Sequence, residues 1–176
     1  SSPLSLSRDG DYVIPVFKSC FIRPGTSCAG GNLKEVNLSG ANLANMDFTD
    51  AYMKNANLTD TTLNGANFTD AYMKGADFSD AKGVRTKLGA RSLADANFSR
   101  VTLNFPEATC TSFLRSKCIE AKVEKGDFSS SKFYKANFKG ATLVKTDFRA
   151  TKLRGASWKG AKVKGSDFTG AEGNKP

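Results

Sequence analysis

Large apolar side chains recur at every fifth position along most of this chain. Residues 33 to 168 contain 28 positions in this phase, and all but Gly83, Ala108 and Cys118 carry a large apolar side chain. The residue two places before each of these positions is usually small, most often alanine. The other three positions are mostly Asn, Asp, Ser, Thr, Lys and Gly. Each group of five therefore predicts one large and one small inward residue, with polar residues facing outward.

A period of five fits neither an α-helix nor a single flat strand, whose apolar spacings are about 3.6 and 2 residues. It fits a chain that turns one corner every five residues. One such coil buries almost nothing, so the coils must stack. Residues 49–54 and 69–74 are both TDAYMK, twenty positions apart, and one column of the period-twenty array reads Phe48, Phe68, Leu88, Ala108, Phe128, Phe148, Phe168. The sequence thus predicts four sides per coil and about seven coils.

The units at 41–45 (ANLAN), 66–70 (ANFTD) and 136–140 (ANFKG) resemble the A-(N/D)-L-X-X unit of the pentapeptide-repeat family. The resemblance covers about four fifths of the chain. It implies an all-β fold, a right-handed quadrilateral parallel β-helix with four pentapeptides per coil. Within this family the chain most resembles the lumenal or secreted members of plant chloroplasts and cyanobacteria.

Three segments follow from this pattern. We expect an N-terminal cap with a cysteine-closed loop at residues 1–30, the β-helix at residues 31–171 and a tail at residues 172–176. Within the cap, residues 11–17 (DYVIPVF) are apolar and prone to β-structure. A solenoid end needs such a cover, because it otherwise exposes its core and an unpaired strand edge.

The pattern breaks in two places. Arg91 falls where a small inward residue belongs, and burying an unpaired guanidinium is very costly. We therefore expect a local bulge there, with the phase restored at Leu93. In a later coil, three apolar residues fall on outward positions: Phe105, Leu114 and Ile119. We favour a compensated bulge that tucks them inward, and the alternative is an exposed apolar patch that contacts a partner.

The four cysteines form two pairs with the same spacing of eight residues, Cys20/Cys28 and Cys110/Cys118. Pairing across the two sets would span about 20 Å along the axis. Cys118 is an inward centre and Cys110 a corner residue, about 9 Å apart in a regular coil and beyond the bridging limit near 7 Å. The second disulfide therefore requires the bulge. The alternative is that Cys118 is merely a small buried hydrophobe. We predict both disulfides.

Disulfides indicate an oxidising compartment. Together with the family resemblance, they imply the chloroplast thylakoid lumen, with a bacterial periplasm or secretion as alternatives. A targeting segment is not present in this sequence, and no stretch of 18 apolar residues predicts a membrane-spanning helix.

Candidate chemistry is sparse. The chain contains no histidine, which excludes Ser-His-Asp and Cys-His catalysis and histidine-ligated zinc or haem. The cysteine pairs lack metal-ligand spacing, so we predict no metal, no cofactor and no catalytic residues. An outward column places Asp127, Asp147 and Asp167 about 4.8 Å apart, close to the spacing of a retaining glycosidase pair. A flat face offers no pocket for a sugar, so we predict that the protein is not an enzyme.

The net charge is +9, of which residues 122–176 contribute +8. The best-known activity of the resembled family is mimicry of duplex DNA to inhibit a type II topoisomerase, which needs an acidic surface. This charge has the wrong sign for that role. Binding of nucleic acid is compatible in sign, but the basic residues are spread over several faces.

We therefore predict a non-enzymatic solenoid that presents flat faces to an unidentified protein partner. The alternative is a basic module that binds nucleic acid or another anionic surface. The residues that follow Phe168 are too few to cover the last coil. That end either stays open or forms a homodimer, as in some members of the resembled family.

Overall fold

The computed structural model describes residues 5–6, 12–14 and 20–176. From Ser27 onward, parallel backbone bridges join residues twenty apart, beginning with Ser27 and Asp47 and continuing to Asp147 and Asp167. This part of the chain contains no helix. It forms a right-handed, four-sided parallel β-helix of about seven coils, and the fold predicted from the period of five is confirmed.

Most sides contribute a single bridging residue, because each side is only a few residues long. One side is paired more extensively, in a four-stranded parallel sheet made of β4 (Lys82–Val84), β5 (Thr102–Asn104), β6 (Lys122–Glu124) and β7 (Thr142–Val144). Near the C-terminal end, β8 (Lys152–Leu153) pairs in parallel with β9 (Glu172–Gly173).

The N-terminal region contains an antiparallel sheet of β1 (Ser5–Leu6), β2 (Tyr12–Ile14) and β3 (Cys20–Ile22). Strand β2 lies within the apolar segment predicted to form β-structure, and the rest of that segment is outside the described residues. Cys28 is buried and its amide donates to the Asp47 carbonyl at 2.7 Å, so inter-coil pairing already includes it. The boundary at residue 30 stays a prediction.

The bore is filled by stacked side chains, as the period-twenty columns predict. Phe48 and Phe68 stack with centroids 5.0 Å apart and planes at 2°, and Phe148 and Phe168 stack in the same way at 5.0 Å and 3°. Alanines fill the small inward positions, and Ala66 is fully buried. Among the described residues, every buried side-chain nitrogen or oxygen has a hydrogen-bond partner. The core is therefore continuous from coil to coil.

Every regular corner has a left-handed backbone, with φ of 57° at Asn45 and 58° at Asp50. Gly, Asn and Asp tolerate this conformation best, and they occupy most corners of the N-terminal half. From residue 100 to residue 135 the corners instead carry other types: Arg100, Phe105, Cys110, Arg115, Glu120, Lys125, Ser130 and Lys135. Backbone strain is therefore concentrated in two adjacent coils.

The bulge predicted at Arg91 is confirmed. Ala90 takes the inward position and is 5% exposed, while Arg91 is exposed. The Arg91 amide bonds to the carbonyl of the residue twenty earlier, Ala71, at 2.8 Å, whereas regular units bond to the residue twenty-one earlier. Leu93 is fully buried again. This one-residue shift of the amide pairing turns the guanidinium outward and spares its desolvation.

The second predicted bulge is wrong. The coil keeps the regular ladder, with the Cys110 amide donating to the Ser129 carbonyl at 3.1 Å. Phe105 is 41% exposed, and Leu114 and Ile119 are half-buried. The inward slot is already occupied by Pro106, which is buried against the side-chain-free Gly126 of the next coil. The alternative that apolar groups lie at the surface holds for Phe105.

Candidate interaction surfaces

The outward residues fall into four flat faces, one on each side of the coil. The sheet face contains the outward residues of β4–β7, the corners that follow these strands and the matching positions of the other coils. The next three faces in chain order are the acidic face, the tyrosine face and the neutral face. Because residues twenty apart stack, each face is a set of columns, and its charge is read directly from them.

The sheet face is strongly basic. Its charged residues are Lys82, Arg85, Lys122, Lys125, Lys145, Lys162 and Lys164, with the single acid Glu124. Phe105 follows β5 and lies between two cations, with the Arg85 guanidinium carbon 4.9 Å and the Lys125 Nζ 5.2 Å from its ring centroid. Cation–π attraction holds this ring in place at the surface. An open groove of about 260 Å³ runs along the outward side of β5, β6 and β7.

The tyrosine face lies on the opposite side and is also basic. Its basic residues are Lys34, Lys54, Lys74, Arg115, Lys132, Lys135, Lys152, Arg154 and Lys175, and its acids are Glu35, Asp95 and Glu172. Tyr52 and Tyr72 stack at 5.4 Å, and the Arg154 guanidinium lies 5.9 Å from the Tyr134 ring centroid. Arg115 is paired with Asp95 at 2.7 Å. Lys152 is paired with Glu172 at 2.6 Å. This face therefore combines aromatic rings with an excess of basic residues.

The acidic face separates the two basic ones. Its acids are Asp47, Asp50, Asp70, Glu107, Asp127, Asp147 and Asp167, with the bases Lys87 and Arg149. The exposed Arg91 guanidinium also reaches this face, 4.0 Å from the Asp50 carboxylate. The Asp147 carboxylate accepts hydrogen bonds from Arg149, which lower the pKa of Asp147. The hydroxyl and amide of Thr169 likewise lower the pKa of Asp167. A glycosidase acid needs a raised pKa, so these shifts have the opposite sign.

The neutral face balances four acids and four bases, namely Asp60, Asp77, Asp80, Glu120, Arg100, Lys117, Lys139 and Lys159. Arg100 donates two hydrogen bonds to the Asp80 carboxylate of the preceding coil, at 2.9 and 3.0 Å. This bidentate pair lowers the pKa of Asp80 and raises that of Arg100. The face therefore offers little net field to a charged partner.

This sorting of charge goes beyond the prediction that basic residues are spread over several faces. They occupy mainly two opposite faces, and the carboxylates occupy much of the side between them. The signal was present in the sequence, because grouping outward residues by a period of twenty separates the columns.

The structure forms one of the two predicted disulfides, Cys20–Cys28, with Cα atoms 5.3 Å apart. Cys110 and Cys118 are both free, so the prediction of a second disulfide is wrong. The regular coil is the physical reason: Cys110 is an exposed corner residue with φ of 54°, whereas Cys118 points into the bore. Burial raises the pKa of the Cys118 thiol to about 12, so this thiol is unreactive at neutral pH.

The bore contains a small apolar cavity of about 20 Å³, lined by Phe113, Cys118, Phe128 and other core residues. Cys118 stands at an inward position where most coils have a larger side chain. An apolar cavity of this size stays dry. In the described part of the chain, no group of three or more His, Cys, Asp or Glu residues is arranged to hold a metal ion.

The C-terminal end of the bore is only partly covered. Trp158, Val163 and Phe168 are partly buried, although they occupy inward positions of the last coils. The Trp158 indole donates to the Asn174 carbonyl at 2.6 Å, so the final residues fold back along one edge. Apolar surface remains accessible at this end.

No helix within the described residues is long and apolar enough to cross a membrane.

A family model described as pentapeptide repeats matches the chain in 8 copies, over residues 31–70, 51–82, 111–149 and 131–170. Among solved structures, a trypsin-treated form of QnrB1, a plasmid-mediated fluoroquinolone resistance protein, is 19% identical with a TM-score of 0.67, covering 80% of this chain and 78% of that one. At this identity the likeness shows the fold alone. HetL from Nostoc sp. strain PCC 7120, a pentapeptide repeat protein involved in heterocyst differentiation regulation, is 24% identical with a TM-score of 0.35, covering 82% and 75%. No curated protein matches the chain.

Proposed function

Because the chain belongs to the pentapeptide-repeat family, we propose that it is a non-enzymatic solenoid whose flat faces bind a partner protein. The observation that carries the proposal is the separation of charge onto different faces of one rigid scaffold. Surfaces with a defined sign steer association and exclude partners of the wrong charge. A continuous core holds the columns in fixed register, so little conformational entropy is lost when such a face binds.

The carboxylate column supports a non-enzymatic role. The pKa values of Asp147 and Asp167 are lowered by hydrogen bonds from Arg149 and Thr169 respectively. Both groups are therefore ionised at neutral pH, and neither suits a general acid. Their carboxylates also accept the amides two residues later, which assigns them a role in stabilising the turn.

A second candidate function is binding of nucleic acid or another anionic surface through the tyrosine face. The stacked pair Tyr52–Tyr72 and the neighbouring lysines favour it, since single strands bind on aromatic platforms within basic grooves. Retention on DNA or heparin that falls steeply with salt would support this function. The DNA-mimic role of the family receives no support, because the acidic surface is confined to one face between two basic ones.

The direct test of the main proposal is affinity capture from a nuclease-treated extract of the source organism. We expect a specific protein to be retained in a fixed ratio to the chain, and to elute only partly at high salt because apolar contacts contribute. Recovery of nucleic acid alone, or of no protein above a scrambled-surface control, would contradict the proposal.

We also propose a homodimer through the C-terminal end. The accessible apolar surface of Trp158, Val163 and Phe168 supports it. Light scattering coupled to size-exclusion chromatography should give twice the chain mass, and Phe168→Asp should give the monomer. A wild-type monomer at high concentration would contradict the dimer.

We further propose an oxidising location, the thylakoid lumen, with a periplasm or secretion as alternatives. The Cys20–Cys28 bond supports it, whereas the free Cys110 and Cys118 add no support. Mass spectrometry of the native protein without reduction should find one disulfide and two free thiols. Four free thiols would contradict this location.

A further inference from the structure

We propose that the sheet face is the docking surface and that its partner is an acidic protein segment bearing an aromatic or large apolar side chain, which contacts Phe105. This inference rests on the proposed protein-binding function and specifies the face and the chemistry of the partner.

Phe105 occupies a left-handed corner with φ of 55°. The other corners of its column carry Asn45, Gly65 and Gly165 or the long cations Arg85, Lys125 and Lys145, so Phe105 is the one large apolar residue among them. Asn and Gly tolerate this backbone, whereas a bulky side chain is strained in it. The ring is also 41% exposed and therefore gains little from burial. Neither backbone preference nor core packing accounts for a phenylalanine at this corner.

The Phe105 ring is held in place by its neighbours. Arg85 and Lys125 flank it from the coils before and after, 4.9 and 5.2 Å from the centroid. A fixed aromatic ring flanked by cations has the composition of an interface hot spot, because aromatic residues and arginine dominate binding energy. The two cations are positioned to pair with carboxylates on either side of a side chain that packs on Phe105.

Further apolar side chains lie on the sheet face around Phe105. Val84 is 42% exposed and Val144 is partly exposed on the same face. The groove along the outward side of β5, β6 and β7 is lined by Asn104, the residue before Phe105, and by Val144. The surface thus combines apolar side chains and an open groove with a strongly basic surround.

The charge of the sheet face favours an acidic partner. The sheet face has seven basic residues and one acid, Glu124. The neighbouring acidic face would repel an acidic segment that strayed across the corner, so the partner is confined to the sheet face. A single-stranded nucleic acid fits less well, because stacking platforms use successive exposed rings and the sheet face presents only Phe105 among its described residues.

The test compares three probes with the intact chain by fluorescence anisotropy: a random copolymer of glutamate and tyrosine, polyglutamate, and an oligothymidylate. The test variant is Phe105→Asn, which suits the left-handed corner and should therefore fold with an unchanged or higher Tm. The matched control is Tyr134→Asn, which removes a ring close to Arg154 from the opposite basic face.

We expect the copolymer to bind about tenfold more tightly than polyglutamate, and Phe105→Asn to weaken copolymer binding by about fivefold to tenfold. Polyglutamate binding should be unchanged in Phe105→Asn, and Tyr134→Asn should bind both polymers like the wild type. Loss of copolymer binding in Tyr134→Asn alone, an unaltered affinity in Phe105→Asn, or no binding of the copolymer would overturn the inference. Oligothymidylate binding that equals the copolymer's and depends on Phe105 would replace the protein partner by nucleic acid.

The capture experiment separates this inference from the proposed function. If Phe105→Asn retains the same protein as the wild type, protein binding stands and the sheet face is not its site. If the wild type retains no protein, the proposed function itself fails.

Discussion

Truncation of Phe148 tests the physical basis of the stacked core. The ring is fully buried, stacks on Phe168 at 5.0 Å and on Phe128 at 5.5 Å, and meets the edges of Phe138 and Trp158 at 6.1 Å. Phe148→Ala removes the ring and leaves a cavity that the rigid coils cannot close. Buried Phe→Ala changes cost about 3–5 kcal/mol, and the loss of several ring contacts favours the upper part of that range.

Phe168→Ala is the matched control, because it changes the same residue type in the same column. Phe168 is only partly buried, so its truncation should cost roughly half as much, about 1–2 kcal/mol. The assay is equilibrium unfolding in urea, followed by far-ultraviolet circular dichroism and by the fluorescence of Trp158, the single tryptophan. Trp158 contacts both phenylalanines and reports on the C-terminal coils.

The difference between the free energies of unfolding of the two variants tests whether packing of the column stabilises the coil. If Phe148→Ala costs less than about 1 kcal/mol, or no more than Phe168→Ala, then the column does not stabilise the coil by packing. If the two probes separate in Phe148→Ala only, the terminal coils unfold independently, as the nearest-neighbour stability of solenoids allows.

Three further predictions concern other parts of the coil. Ellman's reagent at pH 8 should label Cys110 in the folded protein and Cys118 only after unfolding, because burial raises the pKa of Cys118 to about 12; rapid labelling of both thiols would contradict the burial. Gly83→Ala should lower the free energy of unfolding by about 1–3 kcal/mol, because the added methyl group would clash with the buried hydroxyl of Thr86. The control is Gly89→Ala, whose methyl group would meet no atom within 4 Å, so the free energy of unfolding should not change in the same urea titration. The ion pair with Arg100 lowers the pKa of Asp80 below 3.8, so it adds stability at neutral pH that is lost as the pH falls through the lowered pKa. Asp80→Asn should therefore weaken the dependence of the free energy of unfolding on pH below about 4. If the wild type and Asp80→Asn lose stability identically in acid, the pair contributes nothing.

The architecture could be predicted from the sequence because one geometric rule dominates it. A period of five defines which residues face inward, and Leu43, Phe68 and Phe148 are all fully buried. The period of twenty predicts which side chains stack, including the ring pair of Phe48 and Phe68. The charge of each face follows from the same arithmetic, so that part of the candidate site was accessible from the sequence as well.

The cysteine prediction failed because it depended on a local distortion. Spacing alone treated the two pairs as equivalent, yet Cys20 and Cys28 lie where an antiparallel strand meets the first coil. Cys110 and Cys118 lie in a regular coil, which directs one thiol outward and the other inward. Sequence spacing does not encode that difference, since a disulfide depends on the Cα separation and on the directions of the two side chains.

A bulge forms at Arg91 but not at Phe105, because the energetic cost of keeping the regular ladder is larger at Arg91. A bulge gives up ladder hydrogen bonds with neighbouring coils, at a net cost of about 1 kcal/mol each. At Arg91 the regular ladder would bury an unpaired guanidinium, at a cost of several kcal/mol. The bulge is therefore the lower-energy arrangement there. At Phe105 the regular ladder only leaves a ring partly exposed, which costs about 1–2 kcal/mol and is partly offset by Arg85 and Lys125. The regular ladder is therefore retained at Phe105, and it leaves an aromatic ring at the surface.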